Sequence, residues 1–481
     1  LFNVPSSGYH RGRIPPGWYE PGTPLGVAIF APHGEHLMAN KKSRKPVVTD
    51  PAEDDAFGSQ MRMFVENLTG LREFLELVSQ FLDDTHNDFV RQNRDDLAPL
   101  ISAISLIVGK DEKFQKLLTS EQTKAVEEYV IEKQIDTDTQ QSAIIKSKTE
   151  AAARRFGKAM EGFTKTLEHK NFLLKSCLMA LVSTVEWFFA QVLHGYYKTH
   201  AEILAGDRQF TYQELQSFSS LEDARNAMIE AKVESILRDS FPKWITLLRN
   251  TAKLSMGYLD DVEDHLAEIF LRRNIVVHNG GVANATYLAK VASSLKAGRK
   301  PGDVLFVTPA YLSDAIDLLE QYFVLIAAEL WKQQVPKDKS RGRALVDLAY
   351  DKLVAGKWRI AGGWSYFLMN DKQVPELEQL IGKMNYWQTK KWIGEFPDVE
   401  VDVKNADFSA VDRVFRLCQL ALLDDQQGFI KMVRQCLRTK DLSLQELAEW
   451  PIFKEMRTHK QVAAILSKTR GRAGAHPRVS K

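Results

Sequence analysis

The 481-residue sequence predicts an all-α protein. From residue 57 to residue 468, apolar residues recur mainly at the three- and four-residue spacing of amphipathic helices. Helix-start signals support this pattern; one of them is the pair Thr308-Pro309, an N-cap followed by proline in the first turn. Strand-like signals are confined to two short segments, residues 25–30 and 304–307. We therefore expect packed helices to form the core.

The bulk composition is that of a globular protein with about two to four domains. The formal net charge is +2, so binding to nucleic acid would have to come from local basic patches. The three cysteines lie far apart in apolar helical segments, at Cys177, Cys418 and Cys436. This argues for a reducing compartment and against disulfides or a zinc site, so we expect a cytoplasmic protein without a metal or cofactor.

The first 56 residues are predicted to form an extended arm. Eight of the 17 prolines fall in this segment, and they exclude helix over most of it. A histidine pair within residues 32–36 is too weak a pattern to assign a metal. Residues 57–159 are predicted to form a helical N-terminal region, with a charged helix over 112–135 and a polar helix over 138–168.

Residues 160–335 are predicted to form a central helical domain. Its most hydrophobic helix, 171–199, is apolar nearly all round, so Glu186 cannot easily avoid burial and needs a cationic partner. Lys175 and Glu186 interrupt its longest apolar run, which favours a core helix over a membrane span. Shorter helices are expected after the capping box Thr211–Glu214 and over 221–238 and 241–254.

A helix over residues 258–279 carries charge where it should bury apolar side chains. Its predicted buried stripe consists of Val262, Leu266, Ile269, Phe270, Val276 and Val277. Arg273 lies on the same stripe and must find a partner, because an unpaired buried charge costs on the order of 3–5 kcal/mol. Glu186 is a natural partner for Arg273, Arg272 or His278. Such a pair marks structure about as often as function, so both remain open here.

The end of that helix combines an amide, an imidazole and a glycine turn. Asn274 and His278 are four residues apart and share one side, where the amide can orient the imidazole. Gly280 and Gly281 supply the left-handed conformation that stops the helix. Residues five apart lie about 140° apart on a helix, so Arg273 and His278 need a frayed end or a dimer to converge. A phosphate-gripping guanidinium beside a titrating histidine is what ribonuclease chemistry requires.

The rest of the chain carries a basic loop and a second helical set. Lys296, Arg299 and Lys300 follow the glycine turn and are candidate RNA contacts. Residues 340–468 show helix-turn-helix units about 35 residues apart, which predicts a tetratricopeptide-like repeat domain with a concave surface for a protein partner. Residues 469–481 are predicted to be a disordered basic tail.

The central motif resembles the HEPN superfamily, all-α ribonuclease domains that are frequent in bacterial defence and toxin systems. The run RNIVVH at residues 273–278 matches the superfamily's Arg-polar-x-x-x-His signature. With Arg272 and Asn279 it is similar to the RRNxxVHN form of stand-alone bacterial members. Residues 181–187 look like the family's early helix, with Glu186 as its acidic residue. The resemblance covers roughly residues 160–330.

This resemblance implies a HEPN-like helical bundle that dimerises, with the two motifs facing each other across one cleft. It also implies a metal-independent endoribonuclease that cleaves RNA, for example tRNA, in anti-phage defence or as a toxin. Arg273 would hold the scissile phosphate, and His278 would transfer protons as the ribose 2′-hydroxyl attacks. Asn274 would orient either the histidine or the phosphate. The supporting residues would be Glu186, Arg272 and Asn279.

Two other interpretations stand beside the enzyme. One is a catalytically inactive HEPN scaffold, whose motif is a structural ion-pair network and whose C-terminal repeats recruit a partner protein. The absence of a strongly basic face favours this scaffold, or else a small RNA target. The other is a purely structural helical protein that matches a short motif by chance.

Overall fold

Helices account for most of the computed structural model, which describes residues 56–108, 119–135, 141–206 and 210–473. The N-terminal and central helices are α1 Ala56–Gln92, α2 Ala98–Val108, α3 Ser120–Val126, α4 Glu150–Thr199, α5 Tyr212–Gln216, α6 Leu221–Leu237, α7 Phe241–Asn250, α8 Glu263–Asn279, α9 Ala285–Lys290 and α10 Pro309–Gln334. The C-terminal helices are α11 Ser340–Val354, α12 Trp358–Met369, α13 Glu376–Trp392, α14 Glu400–Asn405, α15 Arg413–Leu422, α16 Gln426–Thr439, α17 Leu444–Glu449 and α18 Lys460–Ala473. The mainly helical architecture is thus confirmed. The predicted arm lies outside the described residues, except for Ala56.

A β-hairpin replaces part of two predicted helices. Strand β1, Tyr129–Ile135, pairs antiparallel with β2, Gln141–Ser147, so that Tyr129 lies opposite Ser147. The charged helix predicted over 112–135 is therefore wrong for β1, and the polar helix predicted over 138–168 is wrong for β2 and is confirmed only from Glu150. Both strands are rich in β-branched valine and isoleucine, which pack well on a pleated surface and carried more weight here than the thin helical stripe.

The two longest helices, α1 and α4, pack side by side and antiparallel. At one end the rings of Phe64 and Phe188 stack with centroids 4.1 Å apart. Towards the other end Lys170 Nζ lies 2.5 Å from Asp83 Oδ1. α4 runs without a break for 50 residues from the N-cap Thr149, so its polar first half and its hydrophobic second half are one helix.

The core lies where α4, α7, α8 and α10 meet. Its centre is a group of interlocking aromatic rings, with Phe189 4.8 Å from Trp244 and Phe241 5.1 Å from Phe270. Phe323 of α10 contacts three of these rings. Aromatic side chains bury large apolar areas and prefer such offset and edge-to-face contacts. This cluster fixes one side of α8, and with it the position of the motif.

Buried charges join three parts of the chain that are distant in sequence. Glu320 of α10 is fully buried and lies 2.6 Å from Arg72 of α1 and 2.7 Å from Lys352 of α11. Arg72 also reaches Asp317, which Lys357 contacts at 3.0 Å. Since buried carboxylates need compensation, these cations allow Glu320 to lie in the core.

The C-terminal helices pack mainly on their neighbours in sequence. Within the described residues, α12 packs on both α11 and α13, which also contact each other, and α15 packs on α16. The helices differ widely in length, from the six residues of α14 to the 17 of α13. The predicted disordered tail is wrong for residues 469–473, which continue α18 as helix. Residues 474–481 lie outside the described residues.

Candidate active site on helix α8

The motif lies in the last two turns of α8, and the helix remains intact to Asn279. Gly280 then adopts φ +63° and Gly281 φ +90°, and both backbone N–H groups donate to the carbonyl of Ile275. The predicted glycine stop is confirmed. His278 therefore lies on a regular helix, and its separation from Arg273 is that of an ideal helix, about 140° around the axis.

The buried side of α8 differs from the predicted stripe at its C-terminal end. Leu266, Ile269, Phe270 and Val276 are buried, but Val277 is 47% exposed. Burial shifts to the opposite side of α8, because the chain after the glycine turn folds back over that side and leaves Val277 uncovered. There Ile275 packs in a small cluster with Ala283, Tyr287, Val291 and Leu305. The helix end is thus covered beside Ile275 and left open beside Val277.

Of the three partners left open for Glu186, which were Arg273, Arg272 and His278, the structure shows Arg273. Its Nη2 donates to Glu186 Oε1, and the two side chains retain 23% and 28% exposure. Burial raises the pKa of the Glu186 carboxyl, while the nearby Arg273 guanidinium opposes the rise. The pair therefore lies at the edge of the core. An incoming anion can compete with Glu186 for the guanidinium, because the pair is not sealed from solvent.

Asn274 and His278 occupy the exposed side of α8. Neither side chain makes a hydrogen bond or ion pair with any residue that the structure describes, so the amide does not orient the imidazole. Arg273 faces α4, whereas His278 points away from it by the helical spacing. Within one protomer, the structure brings Arg273 to Glu186 and leaves His278 free in solvent.

Arg272 is locked into a buried polar network. Its Nε lies 2.7 Å from Glu268 Oε1, its Nη1 donates to the Phe306 carbonyl, and its guanidinium lies 4.0 Å from the Tyr311 ring centroid. Glu268 also accepts hydrogen bonds from the hydroxyls of Tyr287 and Tyr311. Burial and the adjacent carboxylate raise the pKa of Tyr287 to about 12. The network ties the chain after the glycine turn, and the start of α10, to α8.

The glycine turn is held by two side chains. Asn279 donates to the Val282 carbonyl, and Lys175 Nζ on α4 donates to the Gly280 carbonyl at 2.9 Å. Since Lys175 meets Gly280 while Glu186 meets Arg273, α4 and α8 run antiparallel. Sequence reasoning missed Lys175 and Glu268 as supports. Glu268 had a detectable signal, because it precedes Arg272 by four residues on the same helix face.

The predicted RNA-binding residues lie in a tight loop beside Arg272. Ala297 and Gly298 have φ of +49° and +71°, and Arg299 Nη1 donates to the Leu295 carbonyl at 2.9 Å. Arg299 helps to line a cleft of about 290 Å³ together with His265, Glu268, Arg272 and Tyr311. Lys296 and Lys300 do not line it. The cleft lies on the side of α8 that Arg272 faces, so it is separate from the Arg273–Glu186 pair.

Within the described ranges, no group of three or more His, Cys, Asp or Glu side chains is arranged to hold a metal ion. All three cysteines are buried as free thiols. Among the described helices only α4 is long and apolar enough to cross a membrane. In its most apolar window 44% of the residues are buried in the protein. Core helices of soluble proteins share these features.

We compared the chain with models of protein families, with curated proteins and with solved structures, and found no match in any of the three.

Proposed function

We propose that the chain is an endoribonuclease of the HEPN type, with Arg273 and His278 as its catalytic residues. The observation that carries this proposal is the contrast between the two side chains at one helix end. Arg273 is held by a single, partly exposed carboxylate, and His278 is exposed and unengaged. One group is therefore poised to exchange its partner for a phosphate, and the other to exchange protons with a substrate.

The proposed reaction needs no group beyond the RNA and these side chains. The ribose 2′-oxygen attacks the adjacent phosphorus, and its bond to phosphorus forms as the bond to the 5′-oxygen breaks. The 2′-hydroxyl gives up its proton to a base, and the 5′-oxygen gains one as it leaves. His278 takes part in these proton transfers, while Arg273 binds the phosphate oxygens and stabilises their charge. The products are a 2′,3′-cyclic phosphate and a free 5′-hydroxyl.

A homodimer is part of the proposal, because Arg273 and His278 lie on different sides of an intact helix. Two protomers related by a twofold axis would bring the Arg273 of one near the His278 of the other. Exposed apolar side chains around the pair support such a contact. Trp187 follows Glu186 directly and is 39% exposed, and Val277 lies one turn from Arg273. Burying them would favour association.

The proposal includes the corresponding architecture. We assign residues 160–335 to a HEPN-like bundle, supported by the antiparallel packing of α4 and α8. We assign residues 340–468 to tetratricopeptide-like repeats, supported by the sequential packing of α11, α12 and α13.

The decisive experiment incubates the purified chain with total RNA and with tRNA in excess EDTA, with wild type beside His278→Ala. His265→Ala is the matched control, since it removes another exposed histidine from the same helix. We expect cleavage by wild type and His265→Ala only, with 2′,3′-cyclic phosphate ends. Equal cleavage by His278→Ala would point to a contaminating nuclease and contradict the proposal.

The Arg273–Glu186 pair itself favours a second candidate, an inactive scaffold. In that case Arg273 stabilises the contact between α4 and α8, and the C-terminal helices recruit a partner protein. Both candidates predict that Arg273→Ala lowers the melting temperature, because it leaves Glu186 unpaired. The two candidates differ in cleavage. The scaffold cleaves no RNA as wild type or as either variant, whereas the enzyme cleaves RNA as wild type and loses cleavage in both Arg273→Ala and His278→Ala.

A further inference from the structure

The outer face of α1 carries a line of large apolar side chains in solvent. Met63 is 48% exposed, Phe74 49%, Leu77 73% and Phe81 66%. Their spacings of 11, three and four residues place them on one side of the helix, opposite the side that packs on α4. Asn67 and Gly70 separate Met63 from the others on this face, so Phe74, Leu77 and Phe81 form the contiguous part. The outer face of a helix is normally polar, and a contiguous apolar patch on it indicates an interaction site.

An acidic line runs along one edge of these apolar residues. Glu66, Glu73 and Asp84 follow each other at seven and 11 residues, about two and three helical turns. All three are exposed, and none forms an ion pair with a residue that the structure describes. The neighbouring Asp83 contrasts with them, because it points towards α4 and pairs with Lys170. Among the described residues, none therefore pairs with the negative charge along this edge.

We propose that the outer face of α1 binds an amphipathic helix of a partner protein. Phe74, Leu77 and Phe81 follow each other at spacings of three and four, as along a coiled-coil seam, and Gly70, one turn before Phe74, leaves the preceding seam position without a side chain. Leucine-like side chains of the partner pack between Phe74, Leu77 and Phe81. A row of lysine or arginine beside them pairs with the acidic line. This surface is independent of the proposed ribonuclease site.

The charge pattern favours such a partner over two other occupants. A second copy would bring its own acidic line to the contact and no basic row to match it. An anionic membrane surface would repel the same carboxylates. A basic amphipathic helix satisfies both the apolar and the acidic features of the face.

Two synthetic helical peptides of about four heptads test the proposal. They share leucine at the seam positions and differ only in the flanking residues, lysine in one and glutamate in the other. Fluorescence anisotropy measures their binding to the full chain. We expect the lysine peptide to bind at least about tenfold more tightly, since three charge pairs distinguish the two. Equal affinity, or no binding of either peptide at about 100 μM, would overturn the proposal.

Variants of the full chain test whether the lysine peptide binds at the outer face of α1. Leu77→Gln combined with Phe81→Gln should abolish binding of the lysine peptide without affecting the fold, because both side chains are exposed. Leu221→Gln is the control, since Leu221 is 80% exposed elsewhere on the surface. Changing Glu66, Glu73 and Asp84 to lysine should reverse the peptide preference.

Light scattering measures whether a second copy of this chain, and not a partner protein, covers the outer face of α1. If the chain forms a dimer, Leu77→Gln with Phe81→Gln should leave its mass unchanged. A fall to monomer in this variant would mean that a second copy covers α1, and would contradict the proposal.

Discussion

Arg273 and His278 share one proposed reaction but make different contributions to stability. His278→Ala removes an exposed side chain without partners, so we expect lost cleavage and a free energy of unfolding within about 0.5 kcal/mol of wild type. Arg273→Ala leaves the partly buried Glu186 unpaired, so it should lose cleavage and about 1 kcal/mol of stability. Urea unfolding and an RNA cleavage assay on both variants test this pair of outcomes.

Arg273→Lys is the control for that experiment. It keeps the positive charge beside Glu186 but loses the planar guanidinium that grips a phosphate in two places. Stability should therefore be largely kept while cleavage falls. Equal destabilisation by His278→Ala and Arg273→Ala would contradict the exposed position of the imidazole.

The raised pKa of Glu186 predicts the sign of a pH dependence of stability. Burial raises its folded-state pKa above the ordinary value of 4.5, so the folded chain keeps a proton that the unfolded chain has released. The resulting stabilisation is fully present below pH 4.5 and is lost as the pH rises through the raised pKa. Relative to Glu186→Gln, wild type should become less stable across that window. Urea unfolding at several pH values measures the difference, and a relative gain with rising pH would show that the attraction of Arg273 outweighs burial.

The end of α8 depends on a backbone conformation that favours glycine. Gly280 has φ +63°, and a Cβ there would meet nothing within 4 Å, so Gly280→Ala tests conformation alone. We expect it to cost about 1 kcal/mol. Gly157→Ala is the matched control, because Gly157 is equally open but lies within α4. That substitution should stabilise by about 0.5–1 kcal/mol. Thermal unfolding distinguishes the two signs, and a loss of equal size at both positions would exclude the conformational explanation.

Local signals in the sequence were enough to place several features of α8 and its neighbours. Thr308 caps α10 through the Tyr311 N–H, and the Thr211–Glu214 capping box forms as predicted. That Glu186 and Arg273 each need a partner also followed from local reasoning, because each charge lies on an apolar helix face; which of Arg273, Arg272 and His278 meets Glu186 remained open until the fold showed it. Caps, glycine stops and the need to compensate a charge depend on a few neighbouring residues, so a single sequence contains them.

Features that depend on distant parts of the chain could not be predicted. Val277 and Ile275 look equally suited to burial, and only the return of residues 283–305 over α8 decides that Ile275 is covered. The hairpin likewise needed pairing between β1 and β2 to outweigh helical spacing. The mutual position of Arg273 and His278 belongs to the same class, since in the proposed site their convergence would require a second protomer.

The buried charges around Glu320 make the stability of the chain a property of three distant segments. Lys352 of α11 pairs with this one carboxylate of α10, and Arg72 of α1 pairs with it and with Asp317. Glu320→Ala leaves two largely buried cations without it, so we expect a loss on the order of 3–5 kcal/mol. Asp347→Ala breaks the exposed pair with Arg343 instead and should cost no more than about 0.5 kcal/mol.

Hydrogen exchange shows whether that loss is shared by the three segments. Because Glu320 contacts α1 and α11 directly, its replacement should reduce amide protection in α1, α10 and α11 together, while Asp347→Ala leaves all three protected. The turn between α14 and α15 is partly exposed and lies far from the network in sequence. Its amide protection should change less than that of these three helices. Loss of protection in α10 alone would show that the N-terminal and C-terminal helices are held to the core by apolar packing. In that case the charge network would fix only the local position of Glu320.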